Sequence, residues 1–204
     1  MFKIRNIITI SDYVTVINII FGMLAILLHD FRFVYISIVF DALDGIVARK
    51  TNTVSEFGAE LDSICDVVSF GVAPAYLIYY YFDSTVSIIG SIIFLIGGAL
   101  RLARFGILDV KHFIGLPIPA AALFLCVLTQ MSLKYSLGSG YVISIIAVIS
   151  GILMISDINY PKYPKKPLLV IFGISIILSM FGVIEPLAIC AVLYVLYGIF
   201  KMKM

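Results

Sequence analysis

The sequence predicts an all-α membrane protein, a polytopic helix bundle of about eight transmembrane helices with a short N-terminal interfacial helix. Three observations carry this. Apolar residues fill 62% of the 204 positions, charged residues 13%, and the mean hydropathy is +1.15, a composition that excludes an ordinary water-soluble domain. Eight apolar stretches approach the roughly 17–25 residues that cross a bilayer as a helix. Only brief polar, glycine or proline breaks lie between them.

Met1 to Ile10 carries Lys3 and Arg5 among apolar residues and has no small-residue cleavage site, so it reads as a segment lying in the interface. The predicted spans follow at Asp12–Leu28, Phe33–Arg49, Glu56–Phe82, Ser84–Phe105, Pro117–Leu133, Gly140–Ser156, Leu168–Gly182 and Pro186–Phe200. The polar stretch Lys50–Ser55 separates the second from the third. Asp83, Gly115 with Pro117, Gly138 with Gly140, the run Tyr160–Pro167 and Glu185 with Pro186 mark the later breaks. Tyr79, Tyr80 and Tyr81 close the third span as interfacial anchors. The three cysteines, Cys65, Cys126 and Cys190, sit in apolar segments and read as packing residues.

Charge placement supports eight spans. Both termini then share one side with Lys3, Arg5, Arg49, Lys50, Arg101, Arg104, Lys111, Lys162, Lys165, Lys166, Lys201 and Lys203, while Arg32 and Lys134 lie opposite. This bias places both termini in the cytoplasm and makes residues 1–204 a single multi-pass domain of the cell membrane. Lys162, Lys165 and Lys166 read as a loop facing anionic lipid, and His112 as a loop residue. A net charge of +2 gives no reason to expect a nucleic-acid partner.

Half of the 12 acidic residues fall in one stretch, as Asp41, Asp44, Glu56, Glu60, Asp62 and Asp66. A charged side chain at membrane depth costs about 2.5–3.5 kcal/mol on insertion scales unless it is paired, hydrated or metal-bound. Four aspartates so close together need a common cause, and a bound metal supplies one. Asp41 and Asp44 are three apart, and Asp62 and Asp66 four apart, so each pair shares a helix face, with Gly58 one turn before Asp62. The polar stretch between the helices lets them turn back and aim the carboxylates into one space. Carboxylates without neighbouring His or Cys favour a hard cation such as Mg²⁺, Mn²⁺ or Ca²⁺. Glu56 suits the start of a helix, where the dipole favours acids. A polar pocket at the membrane surface fits a substrate with a charged head and greasy tails.

Written with its gaps, the stretch is D-x2-D-G-x2-A-R-x8-G-x3-D-x3-D, with Asp41, Asp44, Gly45, Ala48, Arg49, Gly58, Asp62 and Asp66 at the fixed positions. It resembles the signature of the CDP-alcohol phosphotransferases at every one of them. The stretches Val67 to Ala75, Arg101 to Phe105 and Gly115 to Ala122 are similar to the phosphatidylserine synthase branch and its archaeal ether-lipid counterpart. Thr15 to Asn18, with Gly22, resemble that branch's first helix. The resemblance covers roughly residues 12–122. It implies a six-helix core, to which the last two spans are an addition.

The resemblance also implies the chemistry. An alcohol attacks the β-phosphorus of CDP-diacylglycerol or CDP-archaeol, and CMP leaves. Asp41, Asp44, Asp62 and Asp66 would hold one or two Mg²⁺ or Mn²⁺ ions, and Asp66 would also be the general base for the L-serine hydroxyl. Asn18, Asp41, Gly45, Ala48, Arg49, Gly58 and Asp62 would bind the CDP-lipid, the small residues by close backbone approach and Arg49 by charge-assisted bonds to phosphate. Arg101 and Arg104, three apart, would offer a cation to the serine carboxylate, or anchor the helix at the membrane surface. A homodimer is expected, and Gly97, Gly98 and Ala99 would permit close helix contact. Two other readings stand beside this one. The acceptor would be an inositol phosphate or glycerol phosphate, although no basic cluster flanks the motif. Alternatively, the aspartates would form the transport site of a divalent-cation transporter, for which an internal repeat is expected and none is visible.

Overall fold

The computed structural model describes residues 7–107, 113–137, 140–160 and 166–201. Among them are eight helices: α1 (Ile10–Leu28), α2 (Phe31–Thr51), α3 (Glu56–Phe82), α4 (Thr85–Ile107), α5 (Ile118–Tyr135), α6 (Gly140–Ile155), α7 (Lys166–Met180) and α8 (Glu185–Lys201). The chain is the polytopic helical membrane protein its composition predicts. Helices α1, α3, α4 and α5 are long and apolar enough to cross a membrane. Helix α2 has 21 residues but carries Arg32, Asp41, Asp44, Arg49 and Lys50. Helices α6, α7 and α8 are shorter, at 16, 15 and 17 residues. The expected interfacial helix lies outside the described residues as far as Asn6, and residues 7–9 are not helical. Lys3, Arg5, Lys111, His112, Lys162, Lys165 and Lys203 also lie outside the described residues.

Local chemistry sets the helix ends. Helix α1 stops at His29, which takes a left-handed φ of 53° and returns its N–H to the Ala25 carbonyl. Asp30 then caps α2, accepting from the Arg32 backbone N–H at 2.9 Å and from its guanidinium at 2.6 Å. Helix α2 ends at Asn52, also left-handed, and Ser55 caps α3 by accepting from the Gly58 N–H at 3.0 Å. The predicted polar hinge therefore reverses the chain between the two acidic helices.

Helix α3 is continuous but not uniform. Directly after Asp66 it widens into a π-helical stretch over Val67–Val72, where the Ala73 N–H reaches the Val68 carbonyl. Pro74 follows and has no N–H to continue the ordinary ladder, so a local shift in bonding accommodates it without breaking the helix.

Helix α5 forms much of the core, with Ile118, Ala121, Ala122, Leu125 and Cys126 at most 1% exposed. Helix α8 packs on it through Leu187, Ala188 and Ala191. Helices α4 and α6 lie backbone to backbone. A Cβ at Gly97 would overlap the Gly151 carbonyl, and one at Gly90 would sit 2.8 Å from the Ser144 carbonyl oxygen. A Cβ at Gly98 would strike Ile118. The glycines expected to serve contact between copies are thus used inside the chain. Ile88, Ile89, Ile92, Ile96 and Leu100 of α4 point outward, the apolar exterior a lipid-embedded helix needs.

Two-residue strands β1 (Phe113–Ile114) and β2 (Asn159–Tyr160) pair antiparallel, Phe113 opposite Tyr160. Gly115, at φ +80°, turns the chain beside them and donates to the Ile158 carbonyl at 2.8 Å. Sequence reading missed this bridge because two residues leave no alternation pattern. At the far end of α3, Tyr80 stacks on His29 at 3.8 Å and the Tyr81 hydroxyl donates to the His29 carbonyl at 2.6 Å.

Candidate active site

Helix α1 supplies a polar stripe. Ser11, Thr15, Asn18 and Gly22, spaced four, three and four apart, are all buried on one face of an otherwise apolar helix. That face meets both acidic helices. The Asn18 carbonyl accepts from Ser37 Oγ of α2 and from Ser69 Oγ of α3, each at 3.1 Å. Ser37 lies one turn from Asp41, and Ser69 one turn from Asp66. Helix α1 therefore locks α2 and α3 together just beneath their carboxylates. Gly22 permits the approach, since a Cβ there would lie 2.7 Å from the Ser69 Cα.

Above this junction Asp41, Asp62 and Asp66 converge, each offering one carboxylate oxygen within 4.8 Å of the others. Asp66 is 6% exposed and accepts from Asn18 Nδ2 at 3.3 Å. Asp44 lies outside that group of three but interacts electrostatically with each of its members. It is buried, and its Oδ2 accepts the Thr15 hydroxyl at 2.8 Å. Of the four aspartates predicted to share a metal, three offer oxygens within that distance, and the fourth, Asp44, is hydrogen-bonded to α1 beside them.

Three carboxylates at such distances repel one another in a helix-packed interior, and a divalent cation is the partner that relieves the repulsion. Asp62 Oδ1 and Asn18 Oδ1 are buried without a partner among the described residues. Buried oxygens left open this way call for a ligand. The donor set, all oxygen, fits a hard cation.

The small residues of the motif have different surroundings. Gly45 continues the Asp41 face one turn on, and the Arg49 guanidinium lies over it, 3.4 Å from where a Cβ would stand. Ala48 is half-buried beside them. Gly58 packs α3 against the start of α1, because a Cβ there would sit 2.8 Å from Asp12 Oδ1. Asp12 in turn accepts from the Thr9 N–H at 2.7 Å and closes the cap of α1.

The two arginines predicted as a pair separate. Arg101 is 4% exposed, stacks over Phe105 at 4.9 Å and interacts electrostatically with Asp66 and Asp41. Arg104 instead bridges β1 and the turn after α6, donating to the carbonyls of Ile114 at 2.9 Å and Ile155 at 3.1 Å, with Asp157 at 3.7 Å. Arg104 anchors the fold, and Arg101 faces the carboxylates.

Comparison with known proteins gives the family. A profile of the CDP-alcohol phosphatidyltransferases matches residues 2–158. The chain belongs to that family. It is a membrane-embedded transferase of phospholipid synthesis. It is 59% identical to the CDP-diacylglycerol–serine O-phosphatidyltransferase of Methanocaldococcus jannaschii, over 98% of each chain. A protein of that name from Helicobacter pylori is 41% identical over 81% of this chain and 76% of its own. The archaetidylserine synthase of Methanothermobacter thermautotrophicus is 37% identical over 78% of this chain and 72% of its own. The family match ends before α7, as expected of a six-helix core with two helices added.

Sequence reasoning missed Thr15, Ser37 and Ser69, which orient or support the motif's carboxylates. The signal for Thr15 was present, since it shares a helix face with Asn18 and Gly22. Ser37 and Ser69 left no such trace, because their hydrogen bonds end on a backbone carbonyl.

Proposed function

We propose that this transferase moves a phosphatidyl or archaetidyl group from a CDP-linked diacyl or diether lipid to the hydroxyl of L-serine, releasing CMP. The convergence of Asp41, Asp62 and Asp66, with the open oxygens of Asp62 and Asn18 beside them, carries this reading. The names of the relatives support serine as acceptor. A bound Mg²⁺ or Mn²⁺, one ion or two, would neutralise the diphosphate and stabilise the departing CMP.

The chain's own residues do the rest. Asp66 takes the proton of the serine hydroxyl as its oxygen bonds to the β-phosphorus. The bond from that phosphorus to CMP breaks, and CMP leaves with the electron pair. Asn18 fixes the orientation of Asp66. Arg49, exposed beside Gly45 at the end of α2, binds phosphate, and Gly45 and Ala48 leave room for the nucleotide. Arg101 takes the serine carboxylate. Asp44, oriented by Thr15, would join Asp41, Asp62 and Asp66 in holding the metal, and Gly58 packs α3 against α1. The bias of basic residues supports a site and termini on the cytoplasmic side of the cell membrane, and the chain would act as one domain and as a homodimer.

The test is CMP release by the purified protein in detergent, with CDP-diacylglycerol or its diether analogue and Mn²⁺ or Mg²⁺. L-serine, glycerol 3-phosphate and inositol 1-phosphate are offered separately. Release with serine alone is expected. Release with a phosphorylated alcohol alone would overturn the acceptor, and no release with any of them would overturn the reaction.

A further inference from the structure

Two buried glycines face the first residue of α5. One is Gly71, in the π-helical stretch that follows Asp66, and the other is Gly98 of α4. Ile118 fits against both. A Cβ at Gly98 would lie 2.6 Å from Ile118 Cδ1 and 3.4 Å from its Cγ1, and a Cβ at Gly71 would lie 3.9 Å from the same Cδ1. Leu95, three residues before Gly98 on α4, closes on Gly71 as well, with its Cδ1 2.9 Å from the Cβ position. Ile118 is fully buried. One methyl group thus fills the space that two helices leave open by carrying no side chain there, and it sets how closely α3 and α4 approach.

The wedge is rigidly carried. Pro117 and Pro119 flank Ile118 and fix their own φ angles. Ahead of them the Leu116 N–H donates to the Leu153 carbonyl at 3.0 Å and the Gly115 N–H to the Ile158 carbonyl at 2.8 Å. The Arg104 guanidinium ties the same turn to α6, reaching the carbonyls of Ile114 at 2.9 Å and Ser156 at 3.3 Å. The segment that Ile118 meets is held less firmly by its own bonds. The π-helical stretch departs from the ordinary ladder, and Pro74 has no N–H to give it. Helix α1 grips one side of that stretch, through Gly22 against Ser69 and through Asn18, which binds both Ser69 and Asp66. Gly71, two residues on from Ser69, lies on the other side, where Ile118 and Leu95 meet it. Stretches of this kind occur mostly at functional sites.

We propose that Ile118 is a positioning residue for the reaction: seated against Gly98 and Gly71, it presses the π-helical stretch onto α1 and so fixes Asp66 where the acceptor hydroxyl reacts. This rests on the reading of Asp66 as the general base. Ile118 touches no substrate and acts through Gly71. Proton transfer needs the base within hydrogen-bond reach, so a small displacement of Asp66 lowers the rate. The CDP-lipid residues Gly45, Ala48 and Arg49 belong to α2, so a change at the wedge acts on the rate rather than on binding of the lipid.

The test is steady-state CMP release by the full-length protein carrying Gly98→Ala, Ile118→Val, both together, or Asp66→Asn, well below the melting temperature of each. Gly106→Ala is the control, on the same helix α4 with nothing within 4 Å of its Cβ position. The methyl added at Gly98 strikes Ile118 Cδ1. Ile118→Val removes that atom, so in the double variant the new methyl occupies the vacated space. The expected result is a kcat lowered about tenfold in Gly98→Ala and about threefold in Ile118→Val, and restored to within about twofold of wild type in the double variant. The KM for CDP-lipid should stay within about twofold throughout. If Gly98→Ala does not fold, Ile118→Val and the double variant decide by the same criteria. Wild-type kcat in both single variants, or losses that multiply in the double variant, would overturn the inference and leave the base reading standing. A loss of kcat matched by a rise in the KM for CDP-lipid would also overturn it, by showing a general disturbance of the fold. Wild-type kcat in Asp66→Asn would overturn the base reading, and the inference with it.

Discussion

Asn18 Nδ2 on α1 donates to Asp66 Oδ1 on α3 across 3.3 Å, while the backbone carbonyl of the same residue accepts Ser37 and Ser69. The two duties separate cleanly. Any substitution keeps the carbonyl that joins the helices, and only the side chain orients Asp66. Asn18→Ala is therefore expected to keep the helix junction, lose about 1–3 kcal/mol of stability as the buried carboxylate loses its donor, and lose activity by more than that loss of stability explains. Losing one hydrogen bond to a charged group costs about 1.5–3 kcal/mol, or about 10–100-fold in kcat. Melting curves in detergent and CMP-release rates measure the two effects. A variant with near-normal kcat would show that Asp66 needs no help from α1.

Thr15 offers a second dissection. Thr15→Val keeps the shape and removes the donor to Asp44, leaving a buried carboxylate short of a partner. Stability should fall by about 1–3 kcal/mol, with Thr15→Ser close to wild type. Equal melting temperatures for the Val and Ser variants would mean that the bond to Asp44 carries no stability.

The glycine contacts predict contrasting outcomes for one kind of change. Gly22→Ala drives a methyl group into Ser69 of α3 and should cost about 1–3 kcal/mol, with activity falling as the junction at Asn18 shifts. Gly173→Ala on α7 meets nothing within 4 Å and should be neutral or stabilising by about 0.5–1 kcal/mol. Thermal unfolding of the two variants side by side distinguishes them. Comparable losses would contradict the close α1–α3 packing.

These relationships also show what a sequence reveals. The acidic helices were legible because carboxylates are costly in an apolar chain, and because spacings of three and four put each pair on one face. That spacing did not show that Thr15 would hydrogen-bond Asp44. Two side chains can share a face while only one of them meets a third helix, and where that helix lies is set by tertiary packing. The π-helical stretch after Asp66 was invisible for a related reason. Pro74 marks a disturbance, but whether the helix breaks, kinks or widens depends on what packs around Ser69 and Gly71. Arg101 and Arg104 looked equivalent by spacing. They differ because the turn after α6 presents carbonyls to one and the carboxylates face the other.

The Mn²⁺ dependence of CMP release from CDP-lipid at saturating L-serine, in wild type and Asp62→Asn, tests the central claim most directly. Asp62 belongs to the converging cluster and has a buried oxygen open to a ligand, so its loss should weaken metal binding more than folding. The account predicts saturable activation of the wild type, no release without added metal, and a variant that is silent or needs at least about tenfold more Mn²⁺. Release that persists in a chelator, or a variant with the wild-type Mn²⁺ response, would contradict it.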